Sequence, residues 1–131
     1  MLDAWLPVLA YAALIFTLSS LPDLKPPGHA AHSDKIAHLI EYGMLGWLLV
    51  RAGRRTGVTL PRRAVLVVAL GLAVAVGDEL YQGTVGRTRS AADAAADGLA
   101  LVLVAAWDAW LRRPGSGAED RAAASGRGDA D

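Results

Sequence analysis

Four long apolar stretches, separated by short polar segments, dominate the chain. They cover about residues 5–21, 34–50, 64–82 and 90–111. Each is close to the roughly 20 residues that an α-helix needs to cross a bilayer. Residues 64–77 lack the polar face that a helix of a soluble bundle presents to water. The pattern therefore predicts an all-α integral membrane bundle of four transmembrane helices and disfavours the alternative, a soluble four-helix bundle.

The polar segments set the limits of this domain. Proline and glycine in "PDLKPPGHAAH" predict a loop after the first helix. Residues 113–131 are small, polar and charged, which predicts a disordered C-terminal tail beyond a helical domain of residues 1–112. A cleaved signal peptide normally begins with basic residues, and no basic residue precedes the first apolar stretch here. We therefore expect the first stretch to be a retained transmembrane helix.

The distribution of arginines predicts the orientation. Five lie between the second and third helices: Arg51, Arg54, Arg55, Arg62 and Arg63. Arg112 and Arg113 follow the fourth helix. Because basic residues favour the cytoplasmic side, both termini are expected to be cytoplasmic. The four tryptophans fall near the same side, as an interfacial belt would.

Composition excludes several classes of function. The chain has no cysteine, which rules out disulfides, thiolate nucleophiles and cysteine-ligated metals. Thirteen basic residues balance thirteen acidic ones, so no overall field attracts nucleic acid. We expect no nucleic-acid partner, and the predicted partner is the lipid bilayer.

Ionisable side chains concentrate in the predicted outer half of the helices. Asp34, His38, Glu41 and Tyr42 follow a three- or four-residue step, so they share one helix face. Asp78 and Gln82 share another, as do Asp93 and Asp97. Such stripes avoid lipid by facing each other or a wet cavity, which predicts a polar pocket open to the outside. Its predicted residues are Ser20, Asp34, Lys35, His38, Glu41, Tyr42, Asp78, Glu79, Gln82, Arg87, Asp93 and Asp97.

Simpler structural roles compete with this interpretation. Asp34 can cap its helix, Lys35 can extend to the surface, and Ser19 and Ser20 can bond back to their own helix. Asp93 suits the first turn of a helix. A purely structural network can also pair the acids with basic residues, namely Lys35, Arg87 and Arg89.

Four of the ionisable groups lie deeper in the predicted bilayer. These are His38, Glu41, Asp78 and Asp97, at positions where a charge costs roughly 3 kcal/mol. Ionisable groups at such depth usually have a function.

Several motifs, in this order, resemble those of the VanZ-like family of bacterial membrane proteins. They are "LSSLP", "DKIAHLIEYGMLG", "DELYQ" and "GRTRSAAD". The resemblance spans residues 5 to about 105 and implies a small multi-pass protein of the bacterial cytoplasmic membrane. It also implies a link to glycopeptide antibiotics, because a member related to teicoplanin-type resistance names the family. The chain departs from the family pattern at Asp97 and Ala100, where asparagine and glycine are usual.

Three functions remain open from the sequence. The favoured one is binding of an envelope component such as a lipid headgroup, with Lys35, Arg87 and Arg89 at the rim of the pocket. The second is a membrane enzyme acting on a lipid-linked phosphate or glycan, with the catalytic candidates Glu41, His38 and Asp78. No cofactor is evident, but a divalent metal can be held by carboxylates. The candidate ligands are Asp78, Glu79 and Asp97.

The third function is ion or proton coupling, which relays of buried acids and histidine can support. The polar residues reach only the outer half of the bundle, so a complete path requires a dimer. Gly71, Gly77 and the small residues of "AADAAADGLA" allow close helix approach, either within the bundle or in a homodimer.

Overall fold

The computed structural model describes residues 1–21, 31–84 and 91–112, although the side chains of residues 31–34 and 91 are not described. These residues form four α-helices and no strand. The helices are α1 (Leu2–Ser19), α2 (Ala31–Arg55), α3 (Leu60–Thr84) and α4 (Ala91–Trp110). For this described part of the chain, the prediction of an all-α fold with four helices is confirmed. The predicted disordered tail, residues 113–131, lies outside the described residues.

The helix ends differ from the predicted ones by one to five residues. α2 continues to Arg55 because Ala52, Arg54 and Arg55 favour helix as strongly as the apolar residues before them. It ends where Gly57 adopts a positive φ of 74°, a conformation that glycine accepts at little cost. At its other end α2 begins at Ala31, so Asp34 lies within the first turn rather than before it.

Contacts between the helices define an up-down-up-down bundle. α2 and α4 share the most extensive contact, and α3 packs against both. α1 contacts α2 and α3 but, within the described residues, not α4. The N-terminal halves of α2 and α4 meet at His38 and Asp97, and the C-terminal ends of α1 and α3 meet at Ser20 and Tyr81. Gln82 near the end of α3 lines one pocket with His38 in the first half of α2, so neighbouring helices in sequence are antiparallel.

The bundle has two polar ends with an apolar core between them. The acidic end contains Ser19, His38, Asp78, Gln82 and Asp97, and the arginine end contains Arg54, Arg63 and Asp108. The largest fully buried side chains are those of Tyr42, Ile15, Leu45, Leu49, Leu101 and Val67. Most of these fill the space between the two ends.

Two of the helices, α1 and α3, are long and apolar enough to cross a membrane. Only 22% of the residues in the apolar stretch of each are buried, whereas a core helix of a soluble protein would be mostly buried. α2 and α4 carry most of the ionisable side chains and do not meet the same criterion.

Candidate functional site

A pocket at the acidic end brings together polar residues from three helices. It lies between α2, α3 and α4 and has a volume of about 20 Å³. A space of this size accommodates roughly one water molecule or a group of similar size. Its lining residues are His38, Ala75, Asp78, Glu79, Gln82, Asp93, Ala94 and Asp97.

One side of the pocket is built from a histidine and an aspartate. His38 Nδ1 of α2 lies 3.1 Å from Asp97 Oδ1 of α4, within hydrogen-bond distance. Asp97 is 4% exposed, so the bond replaces water around a carboxylate that would otherwise be costly to bury. The ring of His38 also lies nearly parallel to that of Tyr42, with 10° between the planes and 6.5 Å between the centroids. The imidazole is thus positioned by partners on two sides.

The opposite side is an amide–carboxylate chain that leads from α3 to α1. Gln82 Nε2 donates to Asp78 Oδ2 at 2.7 Å and to Ser19 Oγ at 3.3 Å. The two bonds use both protons of the Gln82 amide. The four-residue spacing of Asp78 and Gln82 on one helix makes the shorter bond possible.

A separate pair of exposed hydroxyl groups, those of Ser20 and Tyr81, also joins α1 to α3. Ser20 Oγ donates to the Phe16 carbonyl at 2.7 Å, the back-bonding that the sequence offers as a structural alternative. Ser20 Oγ also lies 2.9 Å from Tyr81 Oη. Because the serine hydroxyl has a single proton, the Tyr81 hydroxyl is the donor in this second bond. Tyr81 also packs edge-on against Phe16, with ring centroids 6.0 Å apart.

Two buried polar atoms beside the pocket make no hydrogen bond to any described residue. They are Asp78 Oδ1 and Tyr42 Oη, on side chains whose residues are 3% and 1% exposed. The carboxylates of Asp78, Asp97 and Glu41 are near enough to Tyr42 to interact with it electrostatically. Buried polar groups are usually hydrogen-bonded, because leaving one unsatisfied costs about 1–3 kcal/mol. Because Asp78 lines the pocket, its unsatisfied oxygen indicates a place for a further hydrogen-bond donor.

The structure does not bring all the predicted pocket residues together. Glu41 is half-buried and interacts electrostatically with Tyr11 of α1, and it does not line the pocket. Lys35 is exposed one turn before His38 and is also outside the lining. Arg87 and the side chain of Asp34 lie outside the described residues.

Sequence reasoning also missed several residues around the site. Tyr81 lies three residues after Asp78, and that spacing would have placed it near the same face. Ala75 and Ala94 line the pocket without any sequence signal beyond their helical spacing from polar neighbours. In the described part of the chain, no group of three or more histidine or acidic side chains is arranged to hold a metal ion.

No protein-family model, curated protein or solved structure matches the chain.

Proposed function

We propose that all four helices cross the bacterial cytoplasmic membrane, as the resemblance to the VanZ-like family implies. The distribution of side chains on α2 and α4 supports this. The acidic side chains of α2 and α4 that the structure describes interact with residues of neighbouring helices or line the pocket between helices. Large apolar side chains are exposed on the outside of both helices. The exposed ones are Ile36, Ile40, Met44 and Trp47 on α2, and Leu99, Val102, Leu103, Trp107 and Trp110 on α4. Polar groups that contact each other inside the bundle, together with an apolar exterior, suit lipid rather than water.

In this arrangement the arginine end faces the cytoplasm and the acidic end faces outward. Five arginines lie in the last turns of α2 and the first turn of α3, namely Arg51, Arg54, Arg55, Arg62 and Arg63. Basic residues near helix ends favour the cytoplasmic side. The small pocket then opens toward the outer leaflet and the cell envelope.

The pocket binds a hydrogen-bond-donating group, an ammonium or a hydroxyl, on the polar head of an envelope component. Asp78 Oδ1 carries this proposal, because it is a buried carboxylate oxygen that accepts no hydrogen bond from any described residue. A space of about 20 Å³ has the size for one such group. A donor there would give the carboxylate oxygen its missing hydrogen bond, and an ammonium group would also balance its negative charge.

The charge of the pocket favours a donor over a phosphate. Four of its lining residues are acidic, and one histidine opposes them. An anion placed among them would meet like-charge repulsion in a poorly solvated site. A lipid headgroup would therefore enter by its ammonium or hydroxyl end and keep its phosphate at the rim. Lys35, exposed one turn outside His38, lies where it can contact that phosphate.

The His38–Asp97 pair supports an enzyme as a second candidate function. A histidine held by a carboxylate is a common general base, provided that a reacting group lies within hydrogen-bond reach. The natural class would be phosphoryl or glycosyl transfer on a lipid-linked substrate. Ion or proton coupling has less support, because Leu45, Leu49 and Leu101 fill the interior between the two polar ends.

The proposal can be tested by measuring lipid binding in nanodiscs made mainly of phosphatidylcholine, whose headgroup has no N–H or O–H donor. Added phosphatidylethanolamine, which has an ammonium group, should raise the melting temperature saturably. Asp78→Asn should weaken the affinity for phosphatidylethanolamine about tenfold, since a hydrogen bond to a charged group contributes about 1.5–3 kcal/mol. Asp3→Asn is the matched control, because Asp3 is exposed at the other end of the bundle.

Equal stabilisation of the two variants by phosphatidylethanolamine would contradict the assignment to Asp78. If phosphatidylglycerol, which offers hydroxyl donors, acts through Asp78 and phosphatidylethanolamine does not, the bound group is a hydroxyl. Turnover of a lipid-linked substrate that disappears in His38→Gln would favour the enzyme instead.

A further inference from the structure

A second and larger pocket lies at the arginine end, between α2 and α4. Its volume is about 290 Å³, close to the roughly 300 Å³ at which small-molecule sites begin. The apolar core separates it from the acidic end. Arg51, Arg54 and Arg55 line it together with Trp47 and Trp107.

The charges in this pocket are strongly unbalanced. Its carboxylate, Asp108, accepts hydrogen bonds from Arg54 and also from Arg63, which lies outside the lining. Arg51 and Arg55 have no ion-pair partner among the described residues. Asp108 is thus already occupied, and two guanidinium groups remain to meet an anion.

The remaining walls of the pocket are apolar and reach the surface. Trp47 and Trp107 are 54% and 61% exposed, and tryptophan is enriched where lipid headgroups meet hydrocarbon. Val104 of α4 and Leu111 just beyond it complete the wall. The pocket therefore offers a cationic part and an adjoining apolar part at the end of the bundle.

We infer that this pocket binds the headgroup phosphate of an anionic phospholipid. Guanidinium groups form two-pronged hydrogen bonds with phosphate oxygens, and two of them are available here. The exposed tryptophans and leucine would contact the first part of the acyl chains. Basic pockets between transmembrane helices commonly hold anionic headgroups in this manner. The inference shares the membrane-spanning bundle with the proposed function but is independent of the acidic end.

Lipid retention can be measured on the full chain in detergent, where both ends of the bundle are accessible. Phosphatidylglycerol would be titrated and the bound lipids counted by native mass spectrometry, with phosphatidylcholine and inorganic phosphate in parallel. We expect one saturable phosphatidylglycerol site that Arg51→Gln or Arg55→Gln weakens about tenfold, as the loss of a charged hydrogen bond should.

Arg62→Gln is the matched control, because Arg62 is exposed at the same end but does not line the pocket. The affinity of the Arg62→Gln variant for phosphatidylglycerol should stay within about twofold of that of the unmodified chain, since no contact in the pocket is lost. If all three variants weakened phosphatidylglycerol binding equally, the assignment of the site would be overturned, since only non-specific electrostatic attraction to the arginines would then explain the binding. Absence of saturable binding would overturn it as well. If inorganic phosphate binds as tightly as the lipid, the site is one for free phosphate and the lipid assignment fails.

Discussion

His38 of α2 and Asp97 of α4 are joined by a hydrogen bond of 3.1 Å, although 58 residues separate them in the chain. Their side chains are 18% and 6% exposed, so the bond lies mostly away from water. It fixes the two helices that share the most extensive contact, and it forms a wall of the acidic pocket.

Asp97→Leu should destabilise the bundle by about 1–3 kcal/mol, because His38 Nδ1 then loses its acceptor at a half-buried position. Asp97→Asn should cost less than about 1 kcal/mol, since the amide oxygen can still accept. Thermal or denaturant unfolding in nanodiscs would measure both. Asp93→Asn is the control, because Asp93 is half-buried nearby but makes no hydrogen bond to another described residue. Equal stability of Asp97→Leu and the unmodified chain would show that the pair contributes nothing to folding.

Asp108 connects the other end of the bundle. It accepts from Arg63 Nε at 2.6 Å and from Arg54 Nε at 2.9 Å, while Arg112 Nε lies 3.8 Å away. Arg63 is only 4% exposed and also donates to the Val58 carbonyl, which holds the connection between α2 and α3 against α4.

Asp108→Asn should therefore destabilise the bundle by about 3–5 kcal/mol, because it leaves a buried arginine without its counter-charge. The double variant Asp108→Leu/Arg63→Met should recover most of the loss, since an apolar pair of similar volume needs no counter-charge. Denaturant unfolding of the two variants measures the difference. A double variant less stable than Asp108→Asn would contradict this explanation. Asp3→Asn is again the control, because it removes a carboxylate charge at an exposed position.

The helical spacing in the sequence predicted which polar residues share a face, and for Asp78 and Gln82 the structure shows a direct hydrogen bond. Spacing does not determine how far each helix is rotated relative to its neighbours. That rotation brings His38 into the pocket lining and leaves Glu41, three residues later, outside it, within electrostatic reach of Tyr11 of α1. It depends on packing across the bundle, which a single sequence does not reveal.

The same limit explains the arginine end. Asp108 and Arg112 are four positions apart in the sequence, a spacing that places them on one face of a helix. No sequence feature gave a reason to choose Arg63 from the five arginines at the end of α2 and the start of α3. Only the fold brings Arg63 of α3 against the last turns of α4.

Gly71 of α3 packs directly against the side chain of Leu101 of α4. A Cβ atom placed there would lie 2.3 Å from Leu101 Cδ2 and 2.5 Å from Cδ1, well inside van der Waals contact. Leu101 is fully buried, so it has little space into which to move. The small residue thus serves packing inside the bundle.

Gly71→Ala should destabilise the protein by about 1–3 kcal/mol through overpacking. Adding Leu101→Val, which shortens the opposing side chain, should relieve part of the strain. Gly43→Ala is the control, because nothing lies within 4 Å of a Cβ at that position and alanine favours a helix. Thermal unfolding compares the three, and a Gly71→Ala variant as stable as Gly43→Ala would show that α3 and α4 are farther apart.

The proposed orientation can be tested with single cysteines, since the chain has none of its own. Thr59, in the connection between α2 and α3, and Leu21, after the end of α1, are both exposed and lie at opposite ends of the bundle. With the arginine end in the cytoplasm, Leu21→Cys should react with a membrane-impermeant maleimide added to intact cells. Thr59→Cys should react only after the membrane is opened.

The two positions also distinguish the alternatives. Four spans with the opposite orientation would exchange the two results, because each cysteine would then be on the other side. A soluble bundle would keep both cysteines on the same side of the membrane and release them with the soluble fraction. If only α1 and α3 crossed the membrane, Leu21 and Thr59 could lie on the same side, so labelling of both from outside would contradict the four-span arrangement. Opposite accessibility is expected because α2 must cross the bilayer to connect an outer Leu21 with an inner Thr59.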